Sequence, residues 1–219
     1  MPEDVFKIAK WFIKQGLDDP RNKFDGNMKL QKLLYFAQLI HLEQFNQPLF
    51  DETIRAFENG AVVESVRVKY RDDNSRFVEE ANRMFEDFQE RVIKTLQLTA
   101  ELFGDYSAKE LSELNHNHEC WQKALNNSKD ESGFYDKDKN IITIEKMREC
   151  AAKNIKEVIE AKKQIAKLNH EYEVINGVKF FYDPSEISLD EDIYRELQKY
   201  NKENSYTITK DPSQGLVIY

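Results

Sequence analysis

The strongest pattern in the chain is a segment that is apolar around most of a helix. Residues 27–42 read NMKLQKLLYFAQLIHL. A helix of this kind is usually buried at the centre of a domain, because a surface helix needs only one apolar stripe. Asn27 is a favoured N-cap residue, since its side-chain oxygen can accept hydrogen bonds from free backbone amides. The pattern therefore predicts a central helix that begins at Asn27.

Amphipathic segments predict further helices on both sides of this one. The first runs from about Glu3 to Gln15, and Gly16 follows it as a left-handed C-cap. A helical pattern resumes after Ser75 and ends at Gly104, as one bent helix or as two. The sequence 107–110, Ser-Ala-Lys-Glu, is a capping box and predicts a helix that ends near 115–116.

The segments between these helices carry weaker signals. Residues 50–57 alternate weakly and predict a short extended segment, which the turn signal Asn59-Gly60 ends. Residues 61–70 could form a short helix. Trp121 opens another short apolar stretch. Residues 126–140 are polar and charged, which predicts an exposed loop.

The carboxy-terminal third changes from a helical period to alternation. Apolar residues spaced by three, four or seven predict one long amphipathic helix from Ile144 to Asn169. Residues 172–182 then predict a hairpin around Asn176-Gly177, because this dipeptide suits the positive φ angles of a type I′ turn. A helix over 188–200, with a capping box of Ser188 and Glu191, precedes a second hairpin from 206–209 and 216–219.

These elements predict a mainly α (α+β) fold. A compact helical domain, 1–152, is followed by a connecting amphipathic helix, 153–170, and by a β-hairpin/helix/β-hairpin extension, 171–219. The composition agrees with a folded, helix-rich protein, since 40% of residues are hydrophobic, 33% are charged, and only 7 are Gly and 5 Pro.

The net charge of -8 argues against nucleic acid as the partner, because basic side chains supply much of the affinity for phosphates. The Lys-rich stretch 153–167 is interleaved with Glu157 and Glu160, which is typical of a solvated helix face. We find no recognition helix with a basic face either. Proteins, including a second copy of this chain, are the expected partners.

The sequence predicts a cytoplasmic protein. No apolar run approaches the roughly 20 residues that a membrane-spanning helix needs, and residues 1–10 lack the apolar core of a secretion signal. Cys120 and Cys150 form neither a metal-type cluster nor a disulfide framework.

The chain lacks a phosphate-binding loop, a nucleophile elbow and a paired-His zinc motif. The best chemical candidate is His116-Asn117-His118-Glu119-Cys120, whose imidazole, carboxylate and thiol groups can ligate zinc. Spacing of i and i+2 at a helix end directs two side chains apart, so a capping or hydrogen-bonding role is the preferred interpretation. The same residues leave a metal- or Cys-dependent hydrolase as a remote alternative. We expect no cofactor, no metal and no enzymatic activity.

Gln31 and Lys32 stand out because they interrupt an otherwise apolar helix. An unpaired buried polar group costs several kcal/mol, so each must find a hydrogen-bond partner or reach the surface. They could therefore bond within the core or serve as polar anchors for a partner. Trp121 has the same two interpretations, core aromatic or exposed binding anchor.

Three segments together resemble the Panacea domain of SocA-like antitoxins and adaptors and of phage-associated GepA-like proteins. They are 27–38 with His41; 48–63, which includes Ile54, Phe57 and Gly60; and 106–121, which includes His116 and Trp121. The chain departs from the family pattern at Ala61 and Cys120, where the family usually has proline, and at Asn115, where it tends to have threonine. The missing prolines remove backbone rigidity and no chemical group.

The resemblance implies a helix-rich antitoxin that binds a cognate protein toxin directly and has no catalytic residues. It leaves two alternatives open: an adaptor that delivers a toxin to a Clp-type protease, and a phage-encoded counter-defence protein. The segment from 171 onward lies outside the resemblance and could bind a partner by strand addition. The candidate partner-binding residues are Gln31, Lys32, Tyr35, His41, Phe57, Gly60, His116, Trp121, Tyr172, Phe180, Tyr182, Tyr206 and Tyr219.

Overall fold

The computed structural model of the chain describes residues 2–130, 135–167, 171–211 and 215–219. The chain divides into two compact units, Met1–Glu157 and Val158–Tyr219. The domain boundaries predicted at 152 and 170 stay predictions.

The first unit is helical with one small sheet. Its elements are α1 (Val5–Lys14), α2 (Asp25–Phe45), β1 (Ile54–Phe57), β2 (Gly60–Val63), α3 (Glu64–Asp72), α4 (Asn74–Arg83), α5 (Glu90–Phe103), α6 (Ala108–His116), α7 (Glu119–Ser128), β3 (Ile141–Ile142) and α8 (Ile144–Asn154). The sheet has the antiparallel order β2-β1-β3. Helix α9 (Lys156–Lys167) begins in this unit and continues into the second.

Helix α2 is the predicted central helix. Every residue from 29 to 42 is buried, and α1, α3, α5, α6, α8 and β2 all contact it. The apolar side chains Leu30, Leu33, Leu34, Leu39 and Ile40 are fully buried around its circumference. Removal of this apolar area from water on all sides of α2 stabilises the unit.

The polar side chains of α2 are buried too, and each binds a neighbouring element. Gln38 accepts from the backbone amides of Leu49 and Phe50 and donates to the Phe50 carbonyl. Lys29 Nζ donates to the Gly104 carbonyl at 2.8 Å, and His41 Nδ1 lies 2.8 Å from Thr95 Oγ1. These bonds connect α2 to the segment that contains Leu49 and Phe50, to the end of α5 at Gly104, and to Thr95 within α5.

The predicted N-cap of α2, Asn27, is wrong by three residues, because the N-cap is Phe24. The helix begins at Asp25, and Asn22 Oδ1 accepts from the backbone amides of Phe24 and Asp25. Asn27 lies inside the helix, where its Nδ2 donates to the Arg67 carbonyl on α3. Asn22 therefore satisfies the free amides that the sequence pattern assigns to Asn27.

Several local predictions are confirmed. The positive φ of Gly16 follows α1, and the Ser107–Glu110 capping box begins α6, which ends at His116. The segment between Ser75 and Gly104 is two helices, α4 and α5, which residues 84–89 separate.

Other segments differ from prediction because pairing partners distant in sequence decide them. Val62 and Val63 extend β2 instead of starting a helix, since they pair with β1. In the predicted loop 126–140, α7 continues to Ser128. Asn140 is buried, and its Nδ2 donates to the Ala56 carbonyl on β1. Residues 131–134 of that loop lie outside the described residues.

The predicted single helix over 144–169 is interrupted. Helix α8 ends at Asn154, Ile155 is its C-cap, and α9 begins at Lys156. The periodicity runs through this junction, so the spacing of apolar residues gives no signal of the break. The end predicted at Asn169 lies outside the described residues.

The second unit contains β4 (Glu171–Ile175), β5 (Val178–Tyr182), α10 (Glu191–Leu197), β6 (Ser205–Asp211) and β7 (Gly215–Ile218). Its sheet has the order β4-β5-β6-β7, with both predicted hairpins antiparallel. Asn176 and Gly177 both have positive φ, as a type I′ turn requires. Strands β5 and β6 pair in parallel, and the segment that contains α10 connects them. One apolar core serves the unit: Ile175, Val178, Phe180, Tyr182, Ile187, Leu197 and Ile208.

The predicted capping box of Ser188 and Glu191 is wrong. Helix α10 is shorter than 188–200, and Asp190 is its N-cap, accepting from the backbone amides of Asp192 and Ile193. The fold class is confirmed as mainly α with a β-containing carboxy-terminal unit. Among the described helices, none combines the length and apolar character that a bilayer crossing requires.

The three hydrogen bonds of Gln38 predict a large effect of its removal. Gln38→Leu leaves the backbone groups of Leu49 and Phe50 buried without partners, so we expect the free energy of unfolding to fall by about 2–4 kcal/mol. Urea denaturation of the full chain measures this change. Gln44→Leu, at an exposed position of the same helix, is the control and should change stability by less than about 0.5 kcal/mol. Equal effects of the two variants would contradict the role given to Gln38.

Candidate functional site

An open pocket of about 530 Å³ lies beside the amino-terminal half of α2. We call it the α2 pocket. Its floor consists of the buried lining residues Asn27, Gln31, Lys32 and Val62. Its rim consists of the lining residues Lys23, Phe24, Met28, Phe57, Glu58, Asn59, Arg67, Arg71 and Tyr135. Helix α2, the β1–β2 hairpin and α3 therefore contribute most of the surface.

The hairpin wall of the pocket is fixed by side chains from α6 and α7. Trp121 Nε1 donates to the Phe57 carbonyl at 3.0 Å, and Ser112 Oγ donates to the Asn59 carbonyl at 2.8 Å. Asn115 Oδ1 accepts from the Ala61 amide at 2.5 Å. The hairpin is only four residues long on each side, so these bonds hold it where its own ladder could not.

His116 supports the same wall from behind. Its ring stacks on Trp121 with centroids 4.3 Å apart and an interplanar angle of 19°. Burial and the nearby Lys32 charge lower the pKa of His116, so the imidazole is neutral at pH 7. The ring is thus an aromatic packing surface for Trp121.

Gly60 allows the hairpin to approach α2 closely. Its φ is +105°, a conformation that other residues rarely adopt. An added Cβ would lie 2.4 Å from Asn115 Oδ1 and 2.7 Å from Lys32 Nζ. Both the backbone conformation and the lack of space therefore require glycine here.

The polar groups of the floor differ in how well they are satisfied. Gln31 Oε1 accepts from the Val63 amide at 2.9 Å, and its Nε2 donates to Asn27 Oδ1. Asn27 donates in turn to Arg67 on α3. These two residues form a chain of hydrogen bonds that connects α2 to β2 and α3.

Lys32 is much less well satisfied. Its side chain is 1% exposed, and its Nζ donates to the Ala61 carbonyl at 3.3 Å. Among the described residues, no carboxylate lies within ion-pair distance of this amine. Burial therefore lowers the pKa of Lys32 from 10.5 to about 7. A buried cation without a counter-ion is unusual, because most buried charges are paired.

The rim is mixed in chemistry. Arg67 makes two hydrogen bonds to Glu64, and Arg71 makes two to Asp72. Tyr135 donates to Glu58 at 3.1 Å. Between these charged groups Phe24 is 67% exposed. The rim thus offers an exposed aromatic side chain together with charged residues, of which Arg67 and Arg71 are paired with Glu64 and Asp72.

A second buried cluster lies deeper along α2. The hydroxyl of Tyr35 lies 2.8 Å from His118 Nδ1, 3.2 Å from Cys120 Sγ and 3.7 Å from Cys150 Sγ. Burial and the two thiols raise the pKa of Tyr35, and a hydrogen bond with Cys150 raises the pKa of Cys120. Both cysteines are free. The cluster connects α2 to α7 and α8 through polar contacts within the core.

The structure separates the residues of the 116–120 metal candidate. His116 stacks on Trp121 at the hairpin, whereas His118 and Cys120 face Tyr35. In the described ranges of the chain, no three His, Cys, Asp or Glu side chains are grouped so that they could hold a metal ion.

Six of the predicted partner-binding residues come together at the α2 pocket. Gln31, Lys32 and Phe57 line it, and Gly60, His116 and Trp121 position its hairpin wall. Tyr35 belongs to the deeper cluster. His41 lies further along α2 beside Thr95, where burial and Arg91 lower its pKa to about 4.

The other five predicted residues belong to the second unit. Phe180 and Tyr182 are in its core, and Tyr206 is half-buried and stacks on Phe180. Tyr172 and Tyr219 are exposed. A role of any of these thirteen residues in partner binding stays a prediction.

Sequence reasoning missed several residues of the pocket. Phe24 and Arg67 were not selected because nothing in the local pattern places them beside Lys32. Asn115 and Ser112 were missed because they act on a hairpin more than 50 positions away. Asn115 carried one signal, as a position where the chain departs from the family pattern that it resembles.

Comparison with known proteins identifies the region that builds this site. The sequence model of the family described as "Antitoxin SocA-like, Panacea domain" matches residues 30–122. Residues 30–122 form a Panacea domain. No curated protein and no solved structure gives a significant match to the chain.

The Panacea domain contains Lys32, the whole β1–β2 hairpin, and the side chains of α6 and α7 that hold it. The match supports an antitoxin-like role, and the family suggests a protein such as a toxin as the partner. The rim residues Phe24 and Tyr135 lie on either side of the matched segment.

The burial of Lys32 predicts how stability depends on pH. The pKa of Lys32 is about 7 in the folded chain, below its unfolded value of 10.5. Between these two pH values the unfolded chain therefore binds more protons than the folded chain. The free energy of unfolding consequently rises with pH across this window. Lys32→Met removes the buried charge. We expect it to stabilise the full chain by about 3 kcal/mol at pH 7, with the difference shrinking toward pH 10.

Urea denaturation at a series of pH values measures this effect. Lys29→Met removes another buried lysine of α2, one that donates to Gly104 at 2.8 Å, and it should give no gain in stability. A Lys32→Met variant that is less stable than the parent chain at pH 7 would show that Lys32 is not an uncompensated charge.

Gly60 predicts a second stability effect, for which the chain offers a matched control. Gly60→Ala adds the cost of a positive φ, about 1 kcal/mol, and the cost of contacts with Lys32 and Asn115, about 1–3 kcal/mol. Gly16 also has positive φ, but nothing lies within 4 Å of its Cβ position. Gly16→Ala should therefore lose only the first amount, and thermal denaturation compares the two. Similar losses would mean that the close approach of the hairpin to α2 carries no cost.

Proposed function

We propose that this chain is the antitoxin of a toxin–antitoxin pair and neutralises a cognate protein toxin by direct binding at the α2 pocket. The observation that carries the proposal is the position of this pocket. The Panacea domain supplies Lys32 and the hairpin wall, and the surface that they form is open.

The chemistry of the rim fits a protein partner. Protein interfaces concentrate binding energy in a few aromatic side chains, which paired polar groups surround. Phe24 is such an aromatic, and the paired residues Arg67 and Arg71 line the same pocket. Phe24 is mostly exposed, so its burial under a partner would remove apolar area from water.

The second unit provides an additional surface for selecting the partner. Strand β4 is an edge of its sheet, and Tyr172 and Val174 on it are 55% and 54% exposed. An extended segment of a toxin could pair with this edge through backbone hydrogen bonds. We place this binding in the cytoplasm, where free thiols such as those of Cys120 and Cys150 are the usual state of cysteine.

Coexpression with the protein encoded by a neighbouring gene tests the function. A neighbouring product that stops growth when expressed alone should lose its toxicity beside the full chain, and the two purified proteins should form a complex. Phe24→Ala should weaken this complex about tenfold or more, because it removes the exposed aromatic of the pocket. Calorimetric titration of purified toxin into the full chain gives the dissociation constant.

Phe85→Ala is the matched control, since Phe85 is 84% exposed and does not line the pocket. It should leave the complex unchanged. A toxin that is bound equally by the Phe24→Ala variant would place the interface elsewhere, and an effect of Tyr172→Ala would then indicate the second unit. Rescue that fails in cells without Clp proteases would contradict neutralisation by binding alone and favour an adaptor.

A further inference from the structure

The floor of the α2 pocket contains an amine whose hydrogen-bonding capacity is largely unused. Lys32 Nζ has three protons to donate, and its acceptor among the described residues is the Ala61 carbonyl at 3.3 Å. The side chain is held between α2, Gly60 and Asn115, and it is 1% exposed. It therefore cannot satisfy itself by extending into bulk water.

A second donor beside it is also unsatisfied. Asn115 Oδ1 is used by the Ala61 amide, but Asn115 Nδ2 is buried and has no acceptor within the described parts of the chain. Both side chains flank Gly60, because a Cβ there would contact each of them. The neighbouring polar groups of the floor, Asn27 and Gln31, are satisfied by each other and by backbone groups. Among the described residues, hydrogen-bond acceptors are therefore lacking around Lys32, where two donor groups are not fully used.

The charges of the rim determine what kind of acceptor the pocket can receive. Arg67 and Arg71 each form a two-bond pair with an acidic neighbour, Glu64 and Asp72. These guanidinium groups are therefore already neutralised. The uncompensated charge of the floor is one ammonium, which matches a group with one negative charge better than a doubly charged phosphate.

We propose that Lys32 is a carboxylate-binding residue, and that its ammonium forms an ion pair with a carboxylate of the protein bound in the α2 pocket. The inference rests on the proposed function for the identity of the partner as a protein, whereas the carboxylate site itself does not. Phe24, Met28 and Val62 line the same pocket, so the favoured group is a carboxylate attached to an apolar or aromatic residue.

Two parts of a protein could supply this group. One is the α-carboxylate of a carboxy-terminal residue, and the other is an Asp or Glu side chain. N-acetyl-phenylalanine represents the first source, and N-acetyl-aspartate N-methylamide represents the second. N-acetyl-phenylalanine amide has the ring without the charge, and phenyl phosphate has the ring with a doubly charged group.

The full chain with ¹³C,¹⁵N-labelled lysine allows direct observation of Lys32. Its side-chain NMR signal is assigned by its absence from the Lys32→Met variant. We expect a saturable shift of this signal with at least one of the two carboxylate probes, and no saturable shift with the amide. Phenyl phosphate should bind more weakly than the better carboxylate. The probe that binds more tightly identifies the source of the group.

The pH dependence of binding provides a second readout. The carboxylate pairs with the charged form of Lys32, so affinity should fall about tenfold or more between pH 7 and pH 9 as the amine loses its proton. Other titratable or charged groups also face the pocket from the elements around it. They are the lining residues Lys23, Glu58, Arg67, Arg71 and Tyr135. His116 lies behind the hairpin wall, near enough for the Lys32 charge to act on it. Burial and the Lys32 charge lower the pKa of His116, so it stays neutral across this range.

Two variants control for structural effects. Lys32→Met should abolish binding of the carboxylate probe while the chain stays folded. Lys29→Met removes a buried lysine outside the pocket and should leave the affinity within about twofold. Binding that survives in Lys32→Met, or a probe affinity independent of pH, would overturn the proposal. So would tighter binding of the amide or the phosphate.

The outcomes separate this proposal from the antitoxin function. Suppose that Lys32→Met neutralises a toxin with the affinity of the parent chain, and that the parent chain responds to neither carboxylate probe. This result would reject the carboxylate site and leave the antitoxin role standing. If the chain binds a carboxylate in a saturable, pH-dependent way but neutralises no neighbouring toxin, the carboxylate site stands and the antitoxin role is rejected.

Discussion

The structure of the first unit depends on the burial of α2 on all sides. A helix surrounded by other elements has no solvated face, so each polar side chain on it must find a partner in a neighbouring element. Gln38 bonds the backbone at 49–50, Lys29 bonds Gly104, and Gln31 bonds the amide of Val63. Because each buried polar side chain needs a hydrogen-bond partner, these side chains also fix the positions of the loops and strands around the helix.

The α2 pocket forms where this system of bonds is incomplete. The β1–β2 hairpin is too short to hold itself, and Trp121 and Asn115 bond its backbone from α7 and α6. Gly60 brings it within contact distance of Lys32. The resulting floor satisfies Gln31 fully and Lys32 poorly, so the pocket combines a rigid wall with a buried amine that lacks a counter-ion. A rigid wall and an unpaired charge together suit a binding site, because little further ordering is needed when a partner arrives.

The family match and the geometry support each other at this place. The Panacea domain spans 30–122, which includes Lys32, the hairpin and its supporting side chains, and it ends shortly before Tyr135 completes the rim. Within its described residues, the second unit has no central buried helix. It is a four-stranded sheet with one small apolar core and two edge strands. The matched segment 30–122 lies wholly within the first unit, and the sheet unit lies outside it.

The sequence by itself determined the elements whose signals are local. The apolar circumference of 29–42, the capping box of Ser107 and the turn at Asn176 each act over a few residues, so the order of residues alone is enough to predict them. Tertiary structure decided the rest. Asn27 lies inside α2 and bonds the Arg67 carbonyl on α3, and Val62 is in a strand because β1 pairs with it. Gln31 and Lys32 are equivalent in the sequence pattern, and only the positions of Val63, Asn27 and Ala61 make one a satisfied core residue and the other an unpaired cation. Val63 lies 32 positions from Gln31, and Ala61 lies 29 positions from Lys32, so no local pattern records these two contacts.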